Sequence, residues 1–130
     1  MPTCKLRSSA YKYIMITIVR LAMKDYKLQA ELCKALAHPV RLEVLDLISR
    51  RERSVDELAK LVGIGQPNLS MHLAALRHRR LVVARRDGMN VYYRASHPKI
   101  ADACSLIQSI LTDLLNRDQR MASAAMEMAA

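Results

Sequence analysis

Gly65 to Arg80 reads GQPNLSMHLAALRHRR, and the reading of this stretch decides how the rest of the chain is understood. Leu69, Leu73 and Leu76 stand at i, i+4 and i+7, which places one narrow apolar stripe on a helix. Around that stripe lie Gln66, Asn68, Ser70, Met71, His72 and His78, and the stretch runs out into Arg77, Arg79 and Arg80. The leucines give the helix one side for a small core, and the short polar side chains of its first two turns leave the other side for a polar target. Just upstream, Ser54 to Val62 (SVDELAKLV) is a second short helix, with Ser54 and Glu57 spaced as a capping box. Gly63-Ile64-Gly65 between the two is a turn whose glycines can both take positive φ. Short helix, glycine turn, second helix with exposed hydrogen-bonding groups: this is the pattern of a DNA-binding helix-turn-helix.

Charge agrees with that pattern. Lys and Arg outnumber Asp and Glu by 21 to 12 in 130 residues, an excess that calls for an anionic partner, nucleic acid or an anionic surface. It is concentrated just after the candidate recognition helix, where Arg77, Arg79, Arg80, Arg85, Arg86, Arg94 and Lys99 face a single acid, Asp87. The core must be aliphatic, because the chain has no Trp and no Phe. Its 3 cysteines, Cys4, Cys33 and Cys104, have no short pair spacing and make no secreted disulfide framework, which fits a cytoplasmic location. Enzyme chemistry is not suggested: there is no glycine-rich phosphate loop, carboxylate pair or nucleophile-base pattern.

The domain is expected over residues 23–116, between a basic extension at 1–22 and a tail at 117–130. The extension carries Lys5, Arg7, Lys12 and Arg20 without an acid, around an apolar run from Tyr13 to Val19. It is too short to span a bilayer and lacks a signal-peptide pattern. It reads as a basic arm, as an extra amphipathic helix, or as upstream sequence before a true start at Met23, to which the polar helix start Lys24-Asp25-Tyr26 points. Lys27 to Ala37 reads as a helix with Leu28, Leu32 and Leu36 on one face. Pro39 to Arg51 reads as the next, with Val40, Val44, Leu47 and Ile48 inward, and Pro39 suits its first position. Leu81–Arg86 and Met89–Ala95 are β-rich runs around Asp87-Gly88, a strong hairpin signal. Pro98 to about Asn116 is a long helix whose apolar stripe, from Ile100 through Cys104, Ile107, Ile110 and Leu111 to Leu115, is wider than so small a domain can cover. The expected fold is mostly α with a two-stranded β wing: a winged helix-turn-helix in the order α-α-α-α-β-β-α.

In that order the sequence resembles the ArsR/SmtB family of transcriptional repressors. The residues that carry the resemblance are LCKALAHPVRLEVLDLI (Leu32 to Ile48), the Gln-Pro-x-x-Ser-x-His-Leu element from Gln66 to Leu73, and the wing DGMNVYYRAS from Asp87 to Ser96. The match covers roughly Leu28 to Leu115. It implies a homodimer joined through the first and last helices of the domain, an operator of double-stranded DNA with two half-sites, and release by an inducer; no membrane partner is implied. Gln66, Asn68, Ser70 and Met71 are then expected at base edges, where Gln and Asn can pair bidentately with adenine. His72 lies nearer the leucine face, so both a structural role and a base contact stand. Arg77, Arg79 and Arg80, and Arg85, Arg86, Asn90 and Arg94 of the wing, are candidates for backbone or groove contacts; the plain alternative for each arginine is a hydrated surface charge.

The family's known sensor sites have no counterpart here. There is no cysteine cluster between Ser54 and Lys60. Lys99, Ile110 and Asp113 stand about where zinc ligands would be needed, and Asp46 and Thr112 about where the persulfide sensors keep cysteines. What remains is Cys33 and Cys104, on the two helices that the family's dimer packs together. Two thiolates suit a soft metal, a metalloid or reversible disulfide chemistry, and a Cys on an apolar helix face is otherwise a small buried hydrophobe. The cofactor therefore stays open: none, or a thiolate-bound metal or metalloid. His38 and His97, each before a proline, are expected as caps. The alternative function is a winged-helix interaction or architectural module that senses nothing.

Overall fold

The computed structural model describes residues 9–22 and 25–129. They fall into two compact units, one ending at Lys34 and the other beginning at Ala35.

The first unit holds helix α1 (Ser9–Ala22) and most of α2 (Tyr26–Leu36). Ser9–Ala22 of the extension is helical, which does not decide between its three readings; the residues before it, Cys4 among them, lie outside the described residues. Asp25 starts α2, its carboxylate accepting the Leu28 N–H at 3.1 Å. Leu28 and Leu32, placed on one apolar face by their spacing, are 56% and 38% exposed.

The second unit contains α3 (Pro39–Arg50), β1 (Arg53–Ser54), α4 (Val55–Val62), α5 (Gln66–His78), β2 (Val82–Asp87), β3 (Asn90–Ala95) and α6 (Lys99–Ala129). Its core joins Val44, Leu45 and Ile48 of α3, Leu58 of α4, Leu69, Leu73 and Leu76 of α5, and Leu81, Val82 and Tyr93 at the sheet. Leu45 is fully buried although the helical stripe drawn from sequence left it out, while Val40 and Leu47 are only partly buried. His38 caps α3 through Nδ1, which accepts the Val40 N–H at 3.2 Å. His97 does the same for α6, accepting the Lys99 N–H at 3.1 Å.

The turn of the helix-turn-helix uses its glycines unequally. Gly63 takes φ 76° and ends α4, its N–H bonded to the Ala59 carbonyl at 2.9 Å. Gly65 sits at φ −68°, ψ 150°, so its place before α5 requires an extended backbone rather than a left-handed one. The far end of α5 is left-handed without glycine: Arg80 has φ 57°. Its N–H bonds the Arg77 carbonyl at 2.9 Å and the Leu81 N–H bonds the Leu76 carbonyl at 3.0 Å, a Schellman pair that drops buried Leu81 against the core. Ser96 Oγ fixes the turn further by donating to the Arg80 carbonyl at 2.7 Å.

The wing is antiparallel from Val82↔Ala95 to Asp87↔Asn90. Its loop is therefore Gly88-Met89, one residue later than the Asp-Gly signal placed it, with Gly88 at φ 60° in the first loop position, as Gly-first two-residue hairpins require. A third strand was not foreseen. β1 pairs with the other edge of β3, Arg53 opposite Tyr93 and Ser54 opposite Tyr92. Two residues are too few to show a period-two pattern in sequence. Helix α6 also departs from expectation, running 31 residues to Ala129, about 46 Å, instead of ending near Asn116. Beyond Pro98 no Gly or Pro interrupts it, and the Ala and Met of its last turns are good helix formers. None of its residues is buried. Among the described residues no helix is long and apolar enough to cross a membrane.

Candidate nucleic-acid interface

α5 is held on one side only. Leu69, Leu73 and Leu76 are at most 1% exposed, and burying each adds on the order of 1.5–3 kcal/mol. With that side fixed, Gln66, Asn68, Ser70, Met71 and Arg77 are all exposed on the rest of the helix. Ser70, Arg77 and His78 share a shallow groove with Ala74 and Tyr93 of the wing. Gln66 shares another, of about 190 Å³, with Met89 and Asn90 of the wing loop. Of the base-reading candidates, Gln66 thus borders the same groove as the wing candidate Asn90, and Ser70 lies in a separate groove with Arg77. Gln66 is not idle there, because its amide nitrogen donates to the Asp56 carboxylate of α4.

His72 is different. It is half-buried, and its Nδ1 accepts a hydrogen bond from Arg41 Nε at 3.4 Å. Its ring lies 4.2 Å from that of His38, tilted by 39°. Of its two readings, these contacts are those of a structural side chain. Partial burial, followed by the nearby His38 and Arg41, lowers its pKa below the usual histidine value.

The wing arginines also differ from one another. Arg85 is tied to Glu52, Nε lying 3.1 and 3.3 Å from the two carboxylate oxygens and Nη2 2.5 Å from the first. Its guanidinium stacks 4.7 Å above the Tyr92 ring. The hydrogen bond from Arg85 holds the Glu52 carboxyl below the usual carboxylate range. Arg86 and Arg94 are exposed. Sequence reasoning missed Glu52, Asp56 and Arg41, each of which fixes a candidate side chain; acids flanking a basic element were the available signal for the first two, and nothing local pointed to Arg41. The Ser54 cap is present, its Oγ accepting the Glu57 N–H at 3.1 Å. The Glu57 carboxylate is taken up by Arg51 and Arg53. Burial alone would push Glu57 up, and these two arginines more than offset it.

Cys33 is exposed and Cys104 half-buried, so neither is a core residue among leucines. Burial, and then the charge of Asp46, raise the Cys104 pKa and favour the protonated thiol. Among the described residues no group of three or more His, Cys, Asp or Glu side chains is placed to hold a metal ion.

A helix-turn-helix buried by one stripe, with a basic hairpin beside its exposed face, defines a winged-helix DNA-binding protein. Comparison with known proteins narrows this. Residues 38–83 match the model of the bacterial regulatory protein, arsR family. An HTH-type transcriptional regulator of Mycobacterium tuberculosis, Rv0081, is 42% identical over 92 residues, covering 70% of this chain and 81% of that protein. Its crystal structure superposes with a TM-score of 0.67, covering 72% and 94% of the two chains at 41% identity. The homodimeric winged-helix domain Mb0332 of Mycobacterium bovis, solved in solution, gives a TM-score of 0.62 at 35% identity, covering 68% and 82%. A probable mercury resistance operon repressor of Streptomyces lividans is 39% identical over 84 residues, covering 65% and 67%. The chain belongs to the arsR family of regulatory proteins: it is a DNA-binding transcriptional regulator, and the family is not one of enzymes.

Proposed function

We propose that this regulator is a homodimeric, cytoplasmic repressor that occupies a two-half-site operator and leaves it when an inducer binds. One observation carries the reading: α5 is locked to the core by three leucines while Gln66, Asn68, Ser70 and Met71 stand exposed on it. In this reading those four side chains reach base edges, and Arg77, Arg86 and Asn90 meet the backbone beside them. Arg85 makes a weaker contribution, since Glu52 already takes its charge. Dimerisation is supported by Leu106, Ile107, Ile110, Leu111, Leu114 and Leu115 of α6, each 48% to 64% exposed, and by the homodimeric relative.

The inducer response is assigned to Cys33 and Cys104. Protonated Cys104 is a poor nucleophile as it stands, so a soft metal ion or metalloid that displaces thiol protons fits better than unassisted oxidation. The relative named for mercury resistance supports that choice. The test is to select an operator from a random duplex pool, then titrate the complex with mercuric ion, arsenite, peroxide and polysulfide. Release by a soft ion, abolished by either Cys33→Ser or Cys104→Ser, is expected. An operator complex indifferent to all four reagents would leave the non-sensing module as the better account.

A further inference from the structure

The rings of His38 and His72 are in tilted contact, and each uses Nδ1 as an acceptor: His38 from the Val40 N–H, His72 from Arg41 Nε–H. An Nδ1 that accepts from Arg41 is the unprotonated nitrogen of the His72 ring, which leaves the ring proton on Nε2. Protonating His72 turns its acceptor into a donor that faces another donor. The loss falls on the tie between α3 and the middle of the recognition helix. The Arg41 guanidinium cannot turn away freely, because its Nη1 also donates to the Ala35 carbonyl at 3.0 Å. The groups that act on the His72 ring are His38, at the N-cap of α3, and Arg41 within α3, and neither is a carboxylate that could share an added proton.

We propose that His72 is a positioning residue for DNA reading and that, through Arg41, it makes specific binding acid-labile: the leucines seat α5 on the core, and the Arg41–His72 tie that sets its angle on α3 lasts only while the His72 ring is neutral. This rests on the DNA-reading role of α5. The sign follows from the depressed pKa of His72. The stabilisation is complete above the unfolded histidine value of about 6.5 and is lost as pH falls from there towards the lower folded value. Random DNA behaves oppositely, since an added positive charge favours phosphate.

The test measures affinity for a selected operator and for random duplex between pH 7.5 and 5, on the full chain and on His72→Asn, whose side-chain oxygen keeps an uncharged acceptor. The ratio of the two affinities is expected to fall in the native chain, approaching about tenfold per pH unit below the His72 pKa. In His72→Asn it is expected to stay within about twofold over the same range. Parallel falls in both proteins, or no fall in either, would overturn the proposal. A second arm needs no DNA: in an NMR titration of the native chain, α5 amide shifts are expected to follow the His72 ring. Amides indifferent to that ring overturn the switch even if no operator can be selected, whereas operator failure alone with coupled amides counts against the DNA reading only.

Discussion

α5 and α6 both carry an apolar stripe at helical spacing, and the chain treats them oppositely. On α5 the three stripe leucines are essentially inaccessible, in a helix of 13 residues. On α6, 31 residues long, no residue is buried and the leucines and isoleucines lie half open. Propensity does not explain the difference, because α5, with Pro67, Asn68, Ser70 and two histidines, is the weaker helix former of the two and yet the buried one. What separates them is whether the same chain supplies the other side of the contact. α5 meets Leu58, Val44 and Leu45 at once, so its polar face is presented rigidly. α6 is left with a face that water solvates poorly, and a second copy is the occupant that the family implies.

The largest effect should come from breaking the finished side. Leu73→Ala leaves a void in the core and is expected to lower unfolding free energy by about 2–5 kcal/mol, measurable by urea denaturation; a loss under 1 kcal/mol would show that the α5 seat is loose. On the unfinished side, Ile110→Glu with Leu114→Glu should convert the dimer to monomer in sedimentation without lowering the second unit's own stability. A dimer surviving both charges would place the interface elsewhere.

Two smaller effects concern charge. Arg86→Ala should flatten the slope of log affinity against log salt by roughly one, whereas Arg85→Ala should change it less, because Glu52 already neutralises that side chain. Glu52→Gln should do the reverse and steepen the slope on random DNA by freeing Arg85. Equal slopes for the Arg85 and Arg86 variants would mean that the ion pair opens on binding. Least of all, Arg80→Gly should leave stability unchanged or raise it by up to about 1 kcal/mol, since a left-handed φ costs an L-residue what glycine avoids.

The leucine spacing of α5, the capped start of α4 and the wing runs were legible in sequence because each is a local pattern with its own period. What stayed hidden depends on pairing across the chain. Leu45 is buried because α3 is covered over a wider arc than one stripe. β1 exists only because β3 offers it an edge, and Arg85 is quenched by a glutamate 33 positions away. The His38–His72 pair joins residues from separate motifs, and neither motif shows that their rings meet. The end of α6 was misread because its apolar stripe fades after Leu115, while helix propensity carries the backbone on to Ala129.

The role of α5 is tested most directly by the affinity of Gln66→Ala and Ser70→Ala for a selected operator, set against their affinity for random duplex. A loss of about 1–3 kcal/mol per substitution on the operator, with little change on random DNA, is the expected result. Equal losses on both DNAs would contradict it and show that the exposed face of α5 does not read bases.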